Sequence, residues 1–284
     1  MSAPTHILGF YQNLGIRPFI NARGFQTILG GSVMPHQVMK AMEEASTQFV
    51  YLDEVQRKAG ARIAELTGAE AAYICAGAAS GLILAGAACL TGKDEKAIES
   101  LPNVRGQANE FVISIVDEHY HVHQGFRTCG GRLVKVGTSE MVTAEDYAEA
   151  INDRTAAAVF FLGKQPREQL STIVEIAHTR GVPVIVDAAS QLPPRANLTD
   201  LTAMGADLVI FSGGKAIRGP QCTGLILGRR ELVQACNLNG SPKFAIGRGM
   251  KVGKEEMAGL LVAIELFMAQ DEEALISRWE KSCQ

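Results

Sequence analysis

The chain has one tryptophan and an aromatic share of only 6%, against 47% apolar residues. With so few large rings, the core has to be built from aliphatic and small side chains, as in a Val/Ile/Ala-rich α/β domain. A length of 284 residues is enough to bury one large core. There is no excess of positive charge: 27 basic residues face 30 acidic ones, for a net charge of −3. The basic residues are scattered, so the electrostatic footprint for tRNA or DNA is missing and a small-molecule substrate is expected. Paired cysteines are also missing. The six cysteines, Cys75, Cys89, Cys129, Cys222, Cys236 and Cys283, show no C-x-x-C spacing. Several sit in apolar runs as small hydrophobes, a pattern that suits a reducing cytoplasm. The N-terminus lacks a basic stretch leading into a long apolar core, so no secretion signal is expected. The longest small-apolar run, residues 71–91, is interrupted by Ser80 and glycines and falls short of a membrane-spanning helix. Internal repeats and low-complexity tracts are lacking.

What is present is an alternation of short apolar runs and helical patterns. Strands are expected near residues 111–116, 133–136, 157–162, 183–187, 207–211 and 224–227, with another ending at Tyr73 to Cys75. Residues 1–35 read as irregular, followed by helices at about 36–49 and 54–67, the second closed by Gly68. EQLSTIVEIAHTR puts Leu170, Ile173, Val174 and Ala177 on one helical face. Residues 254–270 carry Met257, Leu260, Leu261, Ile264, Phe267 and Met268 as a stripe typical of a core or subunit interface. The polar stretch 91–110 reads as a surface connection. Alternating strands and helices predict an α/β architecture, a mostly parallel sheet sandwiched by helices.

Two strands close on polar residues of complementary chemistry. VIVDAAS (184–190) carries Asp187 and DLVIFSGGK (207–215) ends on Lys215. In an open α/β sheet the carboxyl ends of the strands face the ligand crevice, so the two residues converge across one helical crossover. An acid and an amine at one sheet edge match pyridoxal 5'-phosphate, whose aldehyde needs an amine and whose ring nitrogen needs an anion. Ser212, just before the lysine, is a candidate donor to the phosphate. A nucleotide phosphate loop does not fit, because Ala216 stands where that loop needs a Ser or Thr.

A phosphate dianion is best held by backbone N–H groups at a helix start. In YICAGAASGLILAGAACL, Gly77, Ala78, Ala79 and Ser80 are small enough to let the backbone approach such a ligand as the helix begins. The segment does not match the dinucleotide fingerprint. A planar ring also needs a cover, and the strand FVISIV is followed by Asp117-Glu118-His119-Tyr120-His121-Val122-His123. An extended chain there would put the three histidines on one face. No cysteine partner accompanies them, and the run is read as extended and not as an H-x-x-x-H helix, so no metal is expected. His119 is the first candidate to stack on the ring and His121 the second. Each feature alone also fits a scaffold without a ligand, such as an Asp that caps a turn or a small-residue helix packed on the sheet.

Taken together, these segments resemble the fold-type I pyridoxal-phosphate enzymes, the PLP-dependent transferase fold. Within them the resemblance is to the selenocysteine-synthase-like family (L-seryl-tRNA(Sec) selenium transferase-related), and there to the D-glucosaminate-6-phosphate ammonia-lyase branch. It is carried by RPFINARGFQTILGGSVMP, LTGAEAAYICAGAASGLILAGAA, VDAASQLPP, FSGGKAIRGPQCTGLILG and GRGMKVGKEEMAGLLVAIE. The resemblance implies Lys215 as the Schiff-base lysine, Asp187 as partner of the ring nitrogen, and Gly77, Ala78, Ala79 and Ser212 around the phosphate. It implies that Arg248, with Asn21 and Arg23, lies near an active site shared between subunits, hence a homodimer. Gln191 and Arg218 are further substrate-side candidates.

The chain departs from that family in two places. EHYHVHQGFR replaces the usual Arg-containing pattern after the ring-stacking strand, and the sequence stops at Trp279-Glu280-Lys281-Ser282-Cys283-Gln284, where members continue into a small C-terminal domain. The implied layout is an arm and first helix at 1–50, a large cofactor domain at 51–255, and a connecting helix at 256–284 towards the missing domain. The expected function is a lyase that removes water and ammonia from a 2-amino-3-hydroxy acid, such as a phosphorylated sugar acid. Selenium transfer, aldol cleavage and transamination use the same lysine and aspartate. The rival outside enzyme chemistry is a non-catalytic remnant that binds cofactor or only dimerises.

Overall fold

Runs such as TAAAVFF, buried at every position, form strands that are covered on both faces, as parallel sheets require. The computed structural model describes residues 7–104, 106, 108–116 and 120–282. Among them seven strands form one sheet: β1 (Ala71–Cys75), β2 (Glu110–Ser114), β3 (Arg132–Val136), β4 (Thr155–Phe161), β5 (Val184–Asp187), β6 (Leu208–Ser212) and β7 (Gly224–Gly228). Their order is β1-β7-β6-β5-β4-β2-β3. All neighbours pair in parallel except at β7, which runs antiparallel to both β1 and β6. The α/β class, the mostly parallel sheet and the position of every expected strand are borne out.

Helices cover both faces. The first half of the chain holds α1 (Ile7–Asn13), α2 (His36–Ser46), α3 (Leu52–Thr67), α4 (Gly77–Thr91), α5 (Glu95–Ser100) and α6 (Tyr120–Thr128). The second half adds α7 (Ala144–Ala150), α8 (Gln169–Thr179), α9 (Asn197–Ala203), α10 (Arg230–Asn239), α11 (Lys254–Ala269) and α12 (Glu272–Ser282). Successive strand residues point to opposite faces, and the core divides accordingly. Val184 and Val186 of β5 join the cluster under α2, α3, α7, α8, α9 and α11, whereas Ile185 joins the one under α4, α6 and α10. In α11, Met257, Leu260, Ile264 and Phe267 are buried in the first cluster, so the expected stripe is core. Helix α4 lies close on the sheet because Gly81 has no side chain: a Cβ there would stand 3.0 Å from both Cys75 Sγ and Ile210 Cγ2.

Three expectations need correction. The polar stretch 91–110 is not only a connection, since α5 forms inside it. Asp94 caps that helix by accepting from the amides of Lys96 and Ala97, and Ala97 and Ile98 are buried against the core. The chain after β2 is helical from Tyr120 onwards, not extended. Residues 1–35 contain α1, closed by the Leu14 and Ile16 amides donating to the Tyr11 carbonyl, and a 3-10 turn, Thr27–Leu29. Among the described residues no helix is long and apolar enough to cross a membrane.

One buried charge sets the alignment of β5 and β6. Asp207, fully buried just before β6, accepts from the Val184 amide at 2.7 Å, from His178 Nε2 at 2.8 Å and from Arg229 Nη1 at 3.1 Å. Its own amide donates to the Val184 carbonyl at 3.0 Å. The first residue of β5 is thus held on both sides by one residue of the neighbouring strand, and the pairing Asp187↔Ile210 follows at the far end. Replacing Asp207 by alanine leaves the Val184 amide buried without its acceptor, at a cost of about 2–3 kcal/mol. The urea midpoint of Asp207→Ala is expected to fall with an unchanged slope, and an unchanged midpoint would show that this carboxylate does not hold the strands.

Candidate active site

The carboxyl ends of β4, β5 and β6 open on one cavity of about 340 Å³. Asp187, the last residue of β5, and Lys215, just past β6, both line it. The two residues expected to converge therefore do. Ser190, Gln191, Lys164 and His121 line the same space, and Thr27 of the N-terminal arm closes one side. Asp187 Oδ1 accepts from the Ala189 amide at 3.0 Å, which turns the chain away from the strand and keeps the carboxylate at its tip. Lys215 is half-buried. Burial pulls its ammonium below the ordinary lysine range, and the nearby Asp187 carboxylate opposes that shift. Its Nζ donates a hydrogen bond to Ser190 Oγ.

Gly77, Ala78, Ala79 and Ser80 form the first turn of α4, where backbone N–H groups and the helix dipole favour an anion. Gly77 takes a φ of +80°. A Cβ on Gly224 would stand 2.4 Å from the Gly77 carbonyl carbon and 2.7 Å from the Ala78 nitrogen, so only glycine lets β7 pass beneath this turn. Ser212 at the end of β6 pairs with Gly224, which puts its hydroxyl-bearing residue one strand from the turn. These residues lie beside the cavity without lining it.

The remaining candidates are distributed differently. His119 lies outside the described residues. His121 lines the cavity, while His123 is buried and stacks against Phe161 with ring centroids 6.2 Å apart. The helix separates the two, where an extended chain would have aligned them. Gln191 lines the cavity as expected. Arg218, at a left-handed φ of 60°, donates through Nε to the Val33 carbonyl at 2.9 Å and so faces the arm. Asn21 and Arg23 form an exposed turn, with Asn21 Nδ2 donating to the Gly24 carbonyl at 2.9 Å. Arg248 is exposed and does not line the cavity.

Four contributors were missed from sequence. Gln221 Nε2 donates to the Thr27 carbonyl at 2.9 Å, and with Arg218 it straps the arm to the lysine loop. Thr27 thereby reaches the cavity, a long-range contact that no local pattern announces. Ser190 meets Lys215 across an equally long separation. Lys164 was legible in principle, because it follows β4 as Asp187 ends β5 and Lys215 follows β6. Among the described residues its ammonium makes no hydrogen bond or ion pair, which leaves it as a spare cation on the cavity wall.

The chain is similar to proteins of known activity. D-glucosaminate-6-phosphate ammonia lyase of Salmonella typhimurium is 37% identical over 262 residues, covering 90% of this chain and 69% of the relative. A 5'-C-glycyluridine monooxygenase-decarboxylase of a Streptomyces species is 38% identical over 272 residues, covering 93% of this chain and 66% of the relative. The chain thus spans about two thirds of the length of these curated relatives. A solved structure of D-glucosaminate-6-phosphate ammonia-lyase superposes with a TM-score of 0.84 at 35% identity, over 95% of this chain and 72% of that one. The architecture is that of the fold-type I enzymes, as the resemblance implied. The sequence profile of the L-seryl-tRNA selenium transferase family matches residues 19–278, and the chain belongs to that family.

Proposed function

We propose that this protein is a pyridoxal-phosphate-dependent lyase that removes ammonia from a 2-amino-3-hydroxy acid of the D-glucosaminate-6-phosphate type. The observation that carries this reading is the presence of Asp187 and Lys215 on one cavity wall, in a chain 37% identical to such an ammonia lyase. The residues fit the cofactor. A half-buried lysine of lowered basicity suits the aldehyde, a strand-end carboxylate suits the ring nitrogen, and the glycine-backed first turn of α4, with Gly77, Ala78, Ala79, Ser80 and Ser212, suits the phosphate.

When bound, pyridoxal phosphate supplies an electron sink for a bond broken at the substrate α-carbon. The chain supplies the rest. Lys215 Nζ would hold the aldehyde, and the same amine would serve as general base for the substrate α-proton. Its lowered basicity leaves more of the amine neutral near pH 7, which both tasks need. Asp187 would keep the ring nitrogen protonated. His121 would cover the ring face, and Lys164 and Gln191 would orient the acid group, with Lys164 as its counter-charge. Loss of the β-hydroxyl as water and uptake of water at the α-carbon release ammonia and a 2-keto acid. Arg218, Asn21 and Arg23 are assigned to the substrate side and Arg248 to the cofactor, in a site completed between two copies of the chain.

The Streptomyces relative is equally similar, so decarboxylation is the reading to exclude. Incubation with D-glucosaminate 6-phosphate and the cofactor is expected to give keto acid and ammonia in equal amounts, with no carbon dioxide and no oxygen uptake. Lys215→Ala is expected to lower that rate by more than a thousandfold. Carbon dioxide as the product, or keto acid from Lys215→Ala at the parent rate, would overturn the lyase reading.

The assignment of Arg248, Asn21 and Arg23 requires an oligomer. The exposed apolar residues of the arm and its surroundings, among them Phe19, Ile20, Ile28, Val33 and Phe49, suit a surface covered by a second copy. Sedimentation velocity across a range of concentrations is expected to find a dimer or a larger homo-oligomer. A strict monomer that binds the cofactor tightly would contradict the shared site.

A further inference from the structure

We propose that Ser190 is a positioning residue: it receives the Lys215 amine once the substrate has displaced it, and holds it as an ammonium after proton transfer. This rests on the reading of Lys215 as the cofactor lysine and adds a role that the motif residues do not supply. Lys215 Nζ donates to Ser190 Oγ, and both residues line the cavity.

The contact joins two segments whose backbones are independently fixed. On the Ser190 side, the Gln191 amide donates to the Ala188 carbonyl at 3.1 Å, and the side chain of buried Asn197 donates to the Gln191 carbonyl at 2.6 Å. On the lysine side, the Arg218 amide donates to the Lys215 carbonyl at 2.9 Å and the Gly219 amide to the Gly213 carbonyl at 2.8 Å. A freed Nζ therefore has a defined resting place on the cavity wall.

The chemistry balances at that place. The substrate Cα–H bond breaks, its electron pair stays with the carbon, the proton goes to Nζ, and the amine becomes an ammonium. A hydroxyl oxygen stabilises that ammonium more than the neutral amine. The other ionisable groups on the cavity wall are Asp187 from β5, Lys164 after β4 and His121 on α6. Asp187 favours the ammonium, but in the assigned site its charge serves the ring nitrogen, so Ser190 remains as the acceptor. Positive Lys164 works against the ammonium.

The test compares the parent with Ser190→Ala and Ser190→Thr. The first readout is the pH dependence of Lys215 labelling by pyridoxal phosphate and borohydride, located by peptide mapping, with N-acetyl-lysine as the reference amine. Loss of the acceptor favours the neutral amine, so the labelling midpoint of Ser190→Ala is expected at lower pH than that of the parent. The second readout is turnover of D-glucosaminate 6-phosphate. There kcat is expected to fall on the order of ten- to a hundredfold, the weight of a hydrogen bond to a charged group, with KM nearly unchanged. Ser190→Thr keeps the hydroxyl and is expected to restore both. An unmoved midpoint with unmoved kcat in Ser190→Ala would overturn the proposal, as would equal losses in both variants. A parent protein that takes no label on Lys215 would instead refute the cofactor reading itself.

Discussion

The parallel pairing of β5 with β6 is the constraint on which the site depends. Two parallel strands end at the same edge, so whatever residues close them meet there whatever lies between them in sequence. Here they are an aspartate and a lysine. The pairing is held at the opposite end by Asp207, a buried carboxylate satisfied by an amide, a histidine and an arginine. A charge so placed is costly unless fully bonded, and the bonds it makes fix which residue of β5 faces which residue of β6. The antiparallel strand β7 and the glycine at its start then let the first turn of α4 come down beside the same edge. The placement of the amine, the acid and the start of α4 at one edge is a consequence of one sheet topology.

The electrostatics of the cavity follow from that placement. Lys215 sits where burial disfavours its charge while Asp187 favours it, and burial is the larger effect. An amine shifted towards its neutral form is a better nucleophile and base than a fully solvated lysine. Around it the cavity adds the hydroxyl of Ser190, the amide of Gln191 and two basic side chains, Lys164 and His121. This set can orient a small anionic acid. The arm, strapped on by Arg218 and Gln221, contributes Thr27 and completes the wall.

Much of this was legible in the sequence, for identifiable reasons. Strands β4 to β6 are apolar runs ended by polar residues, and a sheet buried on both faces announces itself in that way. The convergence of Asp187 and Lys215 was readable because strand ends converge by rule. The same rule applied to β4 reaches Lys164, which was overlooked because a lysine in a turn looks like any solvated charge. The helix α6 was misread because H-x-H spacing suggests alternation, while burial of Val122 and Phe126 at helical spacing decides the local structure. The contacts of Ser190 with Lys215 and of Gln221 with Thr27 could not be read at all. They depend on loop paths that link distant segments, and neither propensity nor periodicity carries that information.

The most direct test of the central claim is an experimental structure of the chain with pyridoxal phosphate added. The account predicts continuous density from Lys215 Nζ to the cofactor, the ring nitrogen within hydrogen-bond reach of Asp187, roughly 2.6–3.2 Å, and the phosphate on the first turn of α4. A cofactor bound elsewhere, or one joined to a different lysine with Asp187 facing away from the ring, would contradict it.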